Sequence, residues 1–226
     1  LEVLAASTEM GQGTNTSFTS IAANAVEYPV EDVVVAAPDT HRVPNSGPTV
    51  ASRTVMVVGR LIEKACWVLA EQVAQTPGGQ PAPRGPALKA AIIEWHKRHP
   101  GQRLVARAVY EPPPGVKFDD QNYKGDAYAT YAWGACVAHV EVDLRTCAVR
   151  VLGMTAAQDI GQVLHPVLAR GQVQGGVVQA IGWALMEECR FREGAMVNNQ
   201  LTNYIIPTSD DVPPIRVLFA EYPYAH

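Results

Sequence analysis

The chain has 226 residues, of which 47% are hydrophobic and 18% are charged. This composition is typical of a globular protein with enough apolar side chains for a sizeable core, as one large domain or two smaller ones. The formal net charge of -4 and the isoelectric point near 5.9 argue against nucleic-acid binding, because no surplus of basic side chains is available to neutralise phosphates.

The longest apolar runs fall far short of the roughly 20 residues that a membrane-spanning helix requires, so we expect no membrane span. No secretory signal pattern stands at the start. We expect a cytoplasmic protein, with the periplasm as the alternative because Leu1 rather than Met opens the sequence. The cysteines form no CxxC pair, which argues against a structural zinc or iron–sulfur site. We therefore expect reduced, mostly buried thiols at Cys66, Cys136, Cys147 and Cys189.

The first part of the chain predicts a strand, a loop, a helix and a second strand in succession. The first strand covers residues 1–6, and apolar residues at helical spacing follow from Ser17, with Asn15 or Thr16 as the N-cap. Residues 33–38 (VVVAAP) have the composition of a buried strand. This order predicts a βαβ-like unit.

The rest of the chain predicts further helices and an antiparallel portion. In order, we expect an amphipathic helix at residues 58–73, a Pro/Gly-rich surface segment at 76–86, a helix from Pro86 to His99, a hairpin of strands at 128–143 and 147–155, a closely packed helix at 167–188 and a strand at 215–220. The fold class is therefore mixed α/β (α+β). Two subdomains, of about residues 1–110 and 111–226, are one possible organisation.

Residues 10–16 (MGQGTNT) predict either an ordinary turn that caps a helix or a loop that binds an anion or a polar heterocycle. Gly11 and Gly13 allow positive φ and close approach of the backbone, so that successive N–H groups can point into one concavity at a helix N-terminus. Gln12 can both donate and accept, and Thr14 adds a hydroxyl. Short glycine motifs have many chance matches, so the spacing alone leaves both interpretations open.

Residues 45–54 (NSGPTVASRT) form a second loop that enters a helix. Arg53 places a cation in the first helical turn, where it opposes the helix macrodipole unless an anion lies between them. A solvated arginine at an ordinary helix start is the alternative. The hydroxyl groups of this loop belong to Ser46, Thr49, Ser52 and Thr54.

Residues 171–185 (GQVQGGVVQAIGWAL) contain several glycines, each of which costs about 1 kcal/mol in a helix relative to alanine. Either tight helix packing or a ligand close to the backbone explains them. Gln172, which enters from the loop, is the side chain that we expect to contact a ligand. The glycines are Gly171, Gly175, Gly176 and Gly182.

Common catalytic signatures are missing from the sequence, including GxSxG, the P-loop, HExxH and GxGxxG. The histidines do not pair at metal-ligand spacing, and the carboxylate pairs are adjacent residues of the kind found in exposed turns. The sequence therefore predicts no catalytic residue and no metal ligand on this chain.

Taken in order, five segments resemble the large, molybdenum-binding subunit of the xanthine dehydrogenase/aldehyde oxidase family of molybdenum hydroxylases. They are TEMGQGTNT, PDTHRVPNSGPTVASRT, YAWGACVAHVEVDLRT, DIGQVLHPVLARGQVQGGVVQAIGWALMEE and NYIIPTSDDVPPIRV. The segments span nearly the whole chain in the family's order. The resemblance implies a molybdenum-cofactor-binding domain of the aldehyde oxidase/xanthine dehydrogenase type, incomplete at both ends.

The resemblance also implies a set of cofactor contacts. In the family, the MGQG loop contacts the molybdopterin, the SGPTVASRT loop wraps its pterin and phosphate region, and the glutamine of GQVQGG approaches it. The implied residues are Gly11, Gln12, Gly13, Val50, Ala51, Ser52, Arg53, Thr54 and Gln172. The family's catalytic glutamate follows a tyrosine–proline stretch, which this sequence reaches only at residues 222–226, so we expect no catalytic base on the chain.

The whole enzyme that the resemblance implies transfers a water-derived oxygen to a carbon of an aldehyde or an N-heterocycle. Its cofactor is molybdopterin carrying Mo, in the cytosine dinucleotide form that bacterial members tend to use. We expect [2Fe–2S] clusters and FAD on partner subunits or domains, together with the remaining part of the molybdenum subunit. The alternative is a non-catalytic cofactor-binding or assembly module, or an inactive fragment.

Overall fold

The computed structural model describes residues 1–50, 53–74, 82–119, 121–220 and 222. The chain divides into two compact units, Leu1–Pro112 and Pro113–His226, and each has a buried core of its own. Across the described ranges, none of the helices has the length and hydropathy that crossing a bilayer requires.

The first unit begins with the βαβ arrangement that the sequence predicts. Its elements are β1 (Glu2–Val3), α1 (Thr14–Val26) and β2 (Val34–Val35). β1 and β2 pair in parallel, with Glu2 opposite Val34, so the βαβ prediction is confirmed. Phe18 and Val26, each only 1% exposed, anchor α1 in the core. Burial of such side chains stabilises a fold by about 1.5–3 kcal/mol each.

The start of α1 differs from the sequence prediction. The helix begins at Thr14 rather than at Ser17, and its N-cap is Gly13 rather than Asn15 or Thr16. Gly13 adopts a left-handed conformation, with φ 87° and ψ 25°, which glycine tolerates better than other residues. A carboxylate from the preceding loop accepts the N–H groups that a capping side chain would otherwise accept.

Two helices complete the first unit. A π-helical segment, Thr54–Gly59, leads directly into α2 (Arg60–Ala74), and α3 (Gly85–Arg98) follows with Pro86 in its first turn, as predicted. A Cβ on Gly59 would lie 2.8 Å from Ile21 Cδ1, so glycine lets α1 approach the π-helical segment closely. Most of the Pro/Gly-rich segment predicted at residues 76–86 lies outside the described residues.

The strands of the second unit are, in chain order, β3 (Phe118–Asp119), β4 (Lys124–Gly125), β5 (Trp133–Val142), β6 (Val149–Asp159), β7 (Phe191–Arg192), β8 (Ala195–Met196) and β9 (Ile215–Ala220). β3 with β4 and β7 with β8 form short antiparallel ladders. β5 and β6 form an antiparallel hairpin, and β9 joins β6 in parallel, which gives the sheet order β5–β6–β9. The predicted hairpin and final strand are confirmed.

The long helix of the second unit, α4 (Pro166–Leu185), packs on this sheet, and its position agrees with the sequence prediction. Val177 and Ile181 of the helix and Ala156 of β6 form its buried core. The small side chain of Ala156, which is fully buried, lets the helix approach the sheet closely.

All four cysteines are free thiols, but the prediction that most are buried is wrong. Cys66 lies in the core of the first unit at 5% exposure, where burial, helped by the nearby Glu63 carboxylate, raises the pKa of its thiol from 9.0 to about 11. The other thiols are exposed within the chain, because they lie on the edge strand β5, in the turn after it and beyond the end of α4. These are Cys136, Cys147 and Cys189.

Candidate functional site

The first candidate loop, residues 10–13, is folded tightly against the start of α1. Gly11 and Gly13 have φ values of 107° and 87°, a region that favours glycine. The side chain of Gln12 holds the loop from inside. Its Oε1 accepts the N–H of Met10 at 2.7 Å, and its Nε2 donates to the Thr8 carbonyl at 2.7 Å and to the hydroxyl of Thr14. Both Gln12 donors are therefore engaged within the chain.

A carboxylate that the sequence analysis missed fills the concavity of this loop. Glu9 Oε1 accepts the N–H of Gly11 at 2.9 Å and that of Gly13 at 3.0 Å, and Oε2 accepts the N–H of Asn15 at 2.9 Å. The Asn15 N–H is the largest cause that holds the pKa of the Glu9 carboxyl below its usual range. The loop therefore binds a carboxylate of the chain itself, and its interpretation as a ligand-binding loop stays a prediction. An acidic residue just before a glycine pair at a helix start is the signal that could have revealed it.

The second candidate loop is tied by two hydroxyl groups to residues 6–8, the segment that leads into the first loop. The Ala6 N–H donates to Ser46 Oγ at 2.9 Å, and the Thr8 N–H donates to Thr49 Oγ1 at 2.8 Å. These partners are 40 and 41 residues apart in the sequence. The structure thus brings two of the three predicted binding segments together within the first unit.

Arg53 closes the second loop on itself. Its Nη1 donates to the Ser46 carbonyl at 3.0 Å and to the Pro48 carbonyl at 2.9 Å. A Cβ on Gly47 would lie 3.0 Å from both Nη1 and Nη2 of Arg53, so a side chain at position 47 would crowd the guanidinium in this position. None of the ion pairs formed by the described residues includes Arg53. Its charge is therefore available to an anion at the loop.

The other predicted residues of the second loop differ in what the structure shows. Val50 is 56% exposed, which suits a surface that a ligand covers. Thr54 is half-buried and begins the π-helical segment, a rare conformation that occurs frequently at functional sites. Ala51 and Ser52 lie outside the described residues.

Gln172 is the residue of the third segment that is predicted to contact a ligand. It lies on α4 of the second unit, and its side chain is exposed. Close packing explains only one of the glycines in this helix, because a Cβ on Gly182 would lie 2.5 Å from Pro207 Cδ. A Cβ on Gly171, Gly175 or Gly176 would meet no described atom within 4 Å. Within the second unit, the face that carries Gln172 is therefore open.

The described residues contain no group of three or more His, Cys, Asp or Glu side chains that could hold a metal ion. One polar cluster follows α4. The Tyr204 hydroxyl donates to Glu187 Oε2 at 2.7 Å, and this contact raises the pKa of Tyr204. The cluster holds the segment after α4 in place, and we assign no catalytic part to it.

Comparison with known proteins identifies the family. The family model described as the molybdopterin cofactor-binding domain matches residues 1–213. The chain belongs to this family. A xanthine dehydrogenase of Dictyostelium discoideum is 33% identical over 209 residues, which cover 91% of this chain and 15% of that protein. A putative xanthine dehydrogenase molybdenum-binding subunit of Escherichia coli K12 is 30% identical over 231 residues, which cover 98% of this chain and 31% of that protein.

The fold agrees with that of a solved family member. The aldehyde oxidoreductase of Desulfovibrio desulfuricans superposes with a TM-score of 0.76 at 26% identity, over 94% of this chain and 22% of that one. The fold class implied by the resemblance, a molybdopterin cofactor-binding domain of the aldehyde oxidase/xanthine dehydrogenase type, is thus confirmed. The chain spans less than a third of the length of each of these three proteins.

The donors of the second loop fit the cofactor of this family. A molybdopterin carries an anionic phosphate and a polar ring system, which require a cation and hydrogen-bonding groups. The guanidinium of Arg53 meets the first requirement, because only carbonyl oxygens of the described residues accept its hydrogen bonds. The amides of the first loop do not fit a phosphate, since Glu9 already occupies them.

Proposed function

We propose that this chain is the cofactor-binding part of a molybdenum hydroxylase, and that the two loops of the first unit form one wall of its molybdopterin site. The observation that carries the proposal is the Arg53 guanidinium, which forms no ion pair with a described residue and lies in a loop that is bonded to residues 6–8, just before the glycine loop. The second loop thus supplies a cation together with the exposed Val50. It supports binding of an anionic, polar cofactor.

In this proposal, each loop has a separate task. Arg53 holds the phosphate end of the cofactor, with Val50, Ala51, Ser52 and Thr54 as its neighbours in the second loop. Gly11, Gln12 and Gly13 lie against the pterin, where the lack of a side chain at Gly11 leaves room, since a Cβ there would meet no described atom within 4 Å. For the second unit, the resemblance supports Gln172 as a cofactor contact, and its side chain on α4 is exposed within that unit.

The bound group supplies the redox chemistry, in which a water-derived oxygen is added to a carbon of an aldehyde or an N-heterocycle. The chain's own residues bind and orient the cofactor, and we assign none of them as the catalytic base. We further propose the cytosine dinucleotide form of molybdopterin, which the resemblance to bacterial members supports. The chain would act with the remaining part of the molybdenum subunit, an iron–sulfur subunit carrying [2Fe–2S] clusters and an FAD subunit.

Two further features belong to the proposal. The two compact units, Leu1–Pro112 and Pro113–His226, would be subdomains of one cofactor-binding domain. The enzyme would work in the cytoplasm, since four free thiols fit a reducing compartment.

The test is the metal and cofactor content of the full-length protein that carries this chain. Molybdenum is measured by mass spectrometry of the purified protein, and the nucleotide is identified by chromatography after acid hydrolysis. We expect Mo, pterin and cytidine monophosphate in the wild type. Arg53→Gln should lower the Mo retained after gel filtration in high salt by roughly tenfold, because one charge-assisted contact is lost.

Arg107→Gln is the matched control, because Arg107 is an exposed arginine of the same unit outside both loops. It should retain Mo as the wild type does. A full-length protein that purifies without Mo and without a pterin would contradict the proposal and favour a non-catalytic module. Equal losses from Arg53→Gln and Arg107→Gln would contradict the part assigned to Arg53.

A further inference from the structure

The Glu9 carboxylate occupies the place where an external anion would otherwise bind to the first loop. Backbone N–H groups of Gly11, Gly13 and Asn15 all donate to it, at 2.9, 3.0 and 2.9 Å. Asn15 is in the first turn of α1, so the carboxylate also lies at the positive end of that helix. These are the donors that phosphate groups use at glycine loops in other proteins.

Among the residues that the structure describes, no side-chain cation pairs with this carboxylate. None of the ion pairs of the described residues includes Glu9. Backbone dipoles therefore balance its charge, and they hold its pKa below the usual range, so the group stays ionised near neutral pH. An ionised carboxylate in the concavity repels a second anion.

Gln12 completes an internal bonding network in the same loop. It accepts the N–H of Met10 and donates to the Thr8 carbonyl and to Thr14. Together, Glu9 and Gln12 satisfy the backbone N–H groups of residues 10, 11, 13 and 15. The loop needs no ligand to satisfy these groups, so it can hold its shape before a cofactor binds.

We propose that Glu9 is a positioning residue of the cofactor site: its carboxylate replaces an external anion at the N-terminus of α1, pre-forms the glycine loop, and leaves the phosphate of the cofactor to the second loop. The part that concerns the cofactor rests on the proposed function. The part that concerns the internal anion depends only on the contacts of Glu9.

Hydrogen–deuterium exchange at single-amide resolution tests this inference on the full-length protein. The protein is prepared with its cofactor and also without it, from cells grown without molybdate. In the wild type, the N–H groups of Gly11, Gly13 and Asn15 should exchange slowly in both preparations. In cofactor-free Glu9→Ala, we expect them to exchange roughly tenfold faster or more, because a charge-assisted acceptor is lost.

Formate provides a readout that a general loss of structure would not produce. As a small carboxylate, it should re-enter the vacated amides of Glu9→Ala and slow their exchange again, while it leaves the wild type unchanged. Glu31→Ala, an exposed glutamate of the same unit, should show neither effect. If Glu9→Ala does not fold, Glu9→Gln serves instead. Its single remaining oxygen should protect either the Gly11 and Gly13 amides or the Asn15 amide, but not both.

The cofactor part has its own readout, which is the Mo retained after gel filtration. We expect Glu9→Gln to lose Mo several-fold faster than the wild type, and Glu31→Ala to match the wild type. If the wild-type amides exchange quickly without cofactor and slowly only with it, the cofactor and not Glu9 fills the loop, and the inference is overturned. Unchanged Mo retention in Glu9→Gln overturns its cofactor part. A wild type without Mo overturns the proposed function instead, and leaves the exchange result as a separate test.

Discussion

Ser46→Ala removes one of the two hydroxyl groups that tie the second loop to residues 6–8, just before the first loop. The Ala6 N–H donates to Ser46 Oγ at 2.9 Å, and the residues on either side, Ala5 and Ser7, are buried at 4% and 7% exposure. A buried donor that loses its acceptor costs about 1–3 kcal/mol. Because Ala6 itself is only half-buried, we expect about 1–2 kcal/mol, which is a roughly 5- to 30-fold increase in local opening.

Thr49→Val is the matched comparison for this prediction. The Thr8 N–H that donates to Thr49 Oγ1 belongs to an exposed residue, so it can bond to water after the substitution. We expect a cost of about 0.5 kcal/mol or less. Ser20→Ala is the control, because the Ser20 hydroxyl donates to the Thr16 carbonyl within α1 and does not link the loops.

The assay is hydrogen–deuterium exchange of the Ala6 and Thr8 amides in the full-length protein, which reports local opening as a free energy. Ser46→Ala should accelerate exchange at Ala6 far more than Thr49→Val does at Thr8. Exchange at Ala6 that stays at the wild-type rate in Ser46→Ala would show that the Ser46 hydroxyl does not protect this amide. Equal acceleration in the two variants would show that burial of the N–H group does not decide the free-energy cost of losing its acceptor.

Two other predictions concern packing and a thiol. Gly182→Ala should destabilise the protein, because overpacking against Pro207 costs about 1–3 kcal/mol, which exceeds the roughly 1 kcal/mol gained in helix propensity. Gly176→Ala, whose added Cβ meets no described atom within 4 Å, should keep that gain. Equal urea-unfolding midpoints for the two variants would contradict this prediction. The pKa of the Cys66 thiol is raised from 9.0 to about 11, so its reactive thiolate should be roughly 100-fold rarer at pH 8 than that of a thiol of pKa 9.0. Cys66 should therefore react with iodoacetamide roughly 100-fold more slowly than such a thiol. Labelling of Cys66 as fast as that of the exposed Cys136 would contradict its burial.

Local patterns predicted the regular elements well. The final strand has the predicted bounds, Ile215–Ala220, and the hairpin and α4 occur where β-forming and helical patterns placed them. These elements could be predicted because hydrophobic periodicity is a property of consecutive residues. Exposure of Cys136 could not be predicted in this way, since it depends on β5 being the edge of the sheet.

The candidate site was only partly predictable for a related reason. The glycine loop and the second loop were recognisable from residue types, but the hydrogen bonds that hold the second loop against residues 6–8, just before the glycine loop, cross 40 and 41 residues of sequence. Loop positions of this kind depend on the packing of the whole unit. The N-cap prediction at Asn15 or Thr16 was wrong because Glu9 supplies the acceptors from outside the helix.

The hydrogen-bonding groups that made these loops candidates are mostly engaged within the chain. Glu9 accepts the Gly11 and Gly13 N–H groups, Gln12 uses both of its donors, and Ser46 accepts from Ala6, just before the first loop. Under the proposed function, each loop residue can therefore form few new hydrogen bonds to a cofactor. The affinity then depends on the loops being already ordered before the cofactor binds, because ordering them on binding would cost free energy. Variants that loosen the loops without touching a cofactor-facing group should then weaken binding nearly as much as removal of the Arg53 charge.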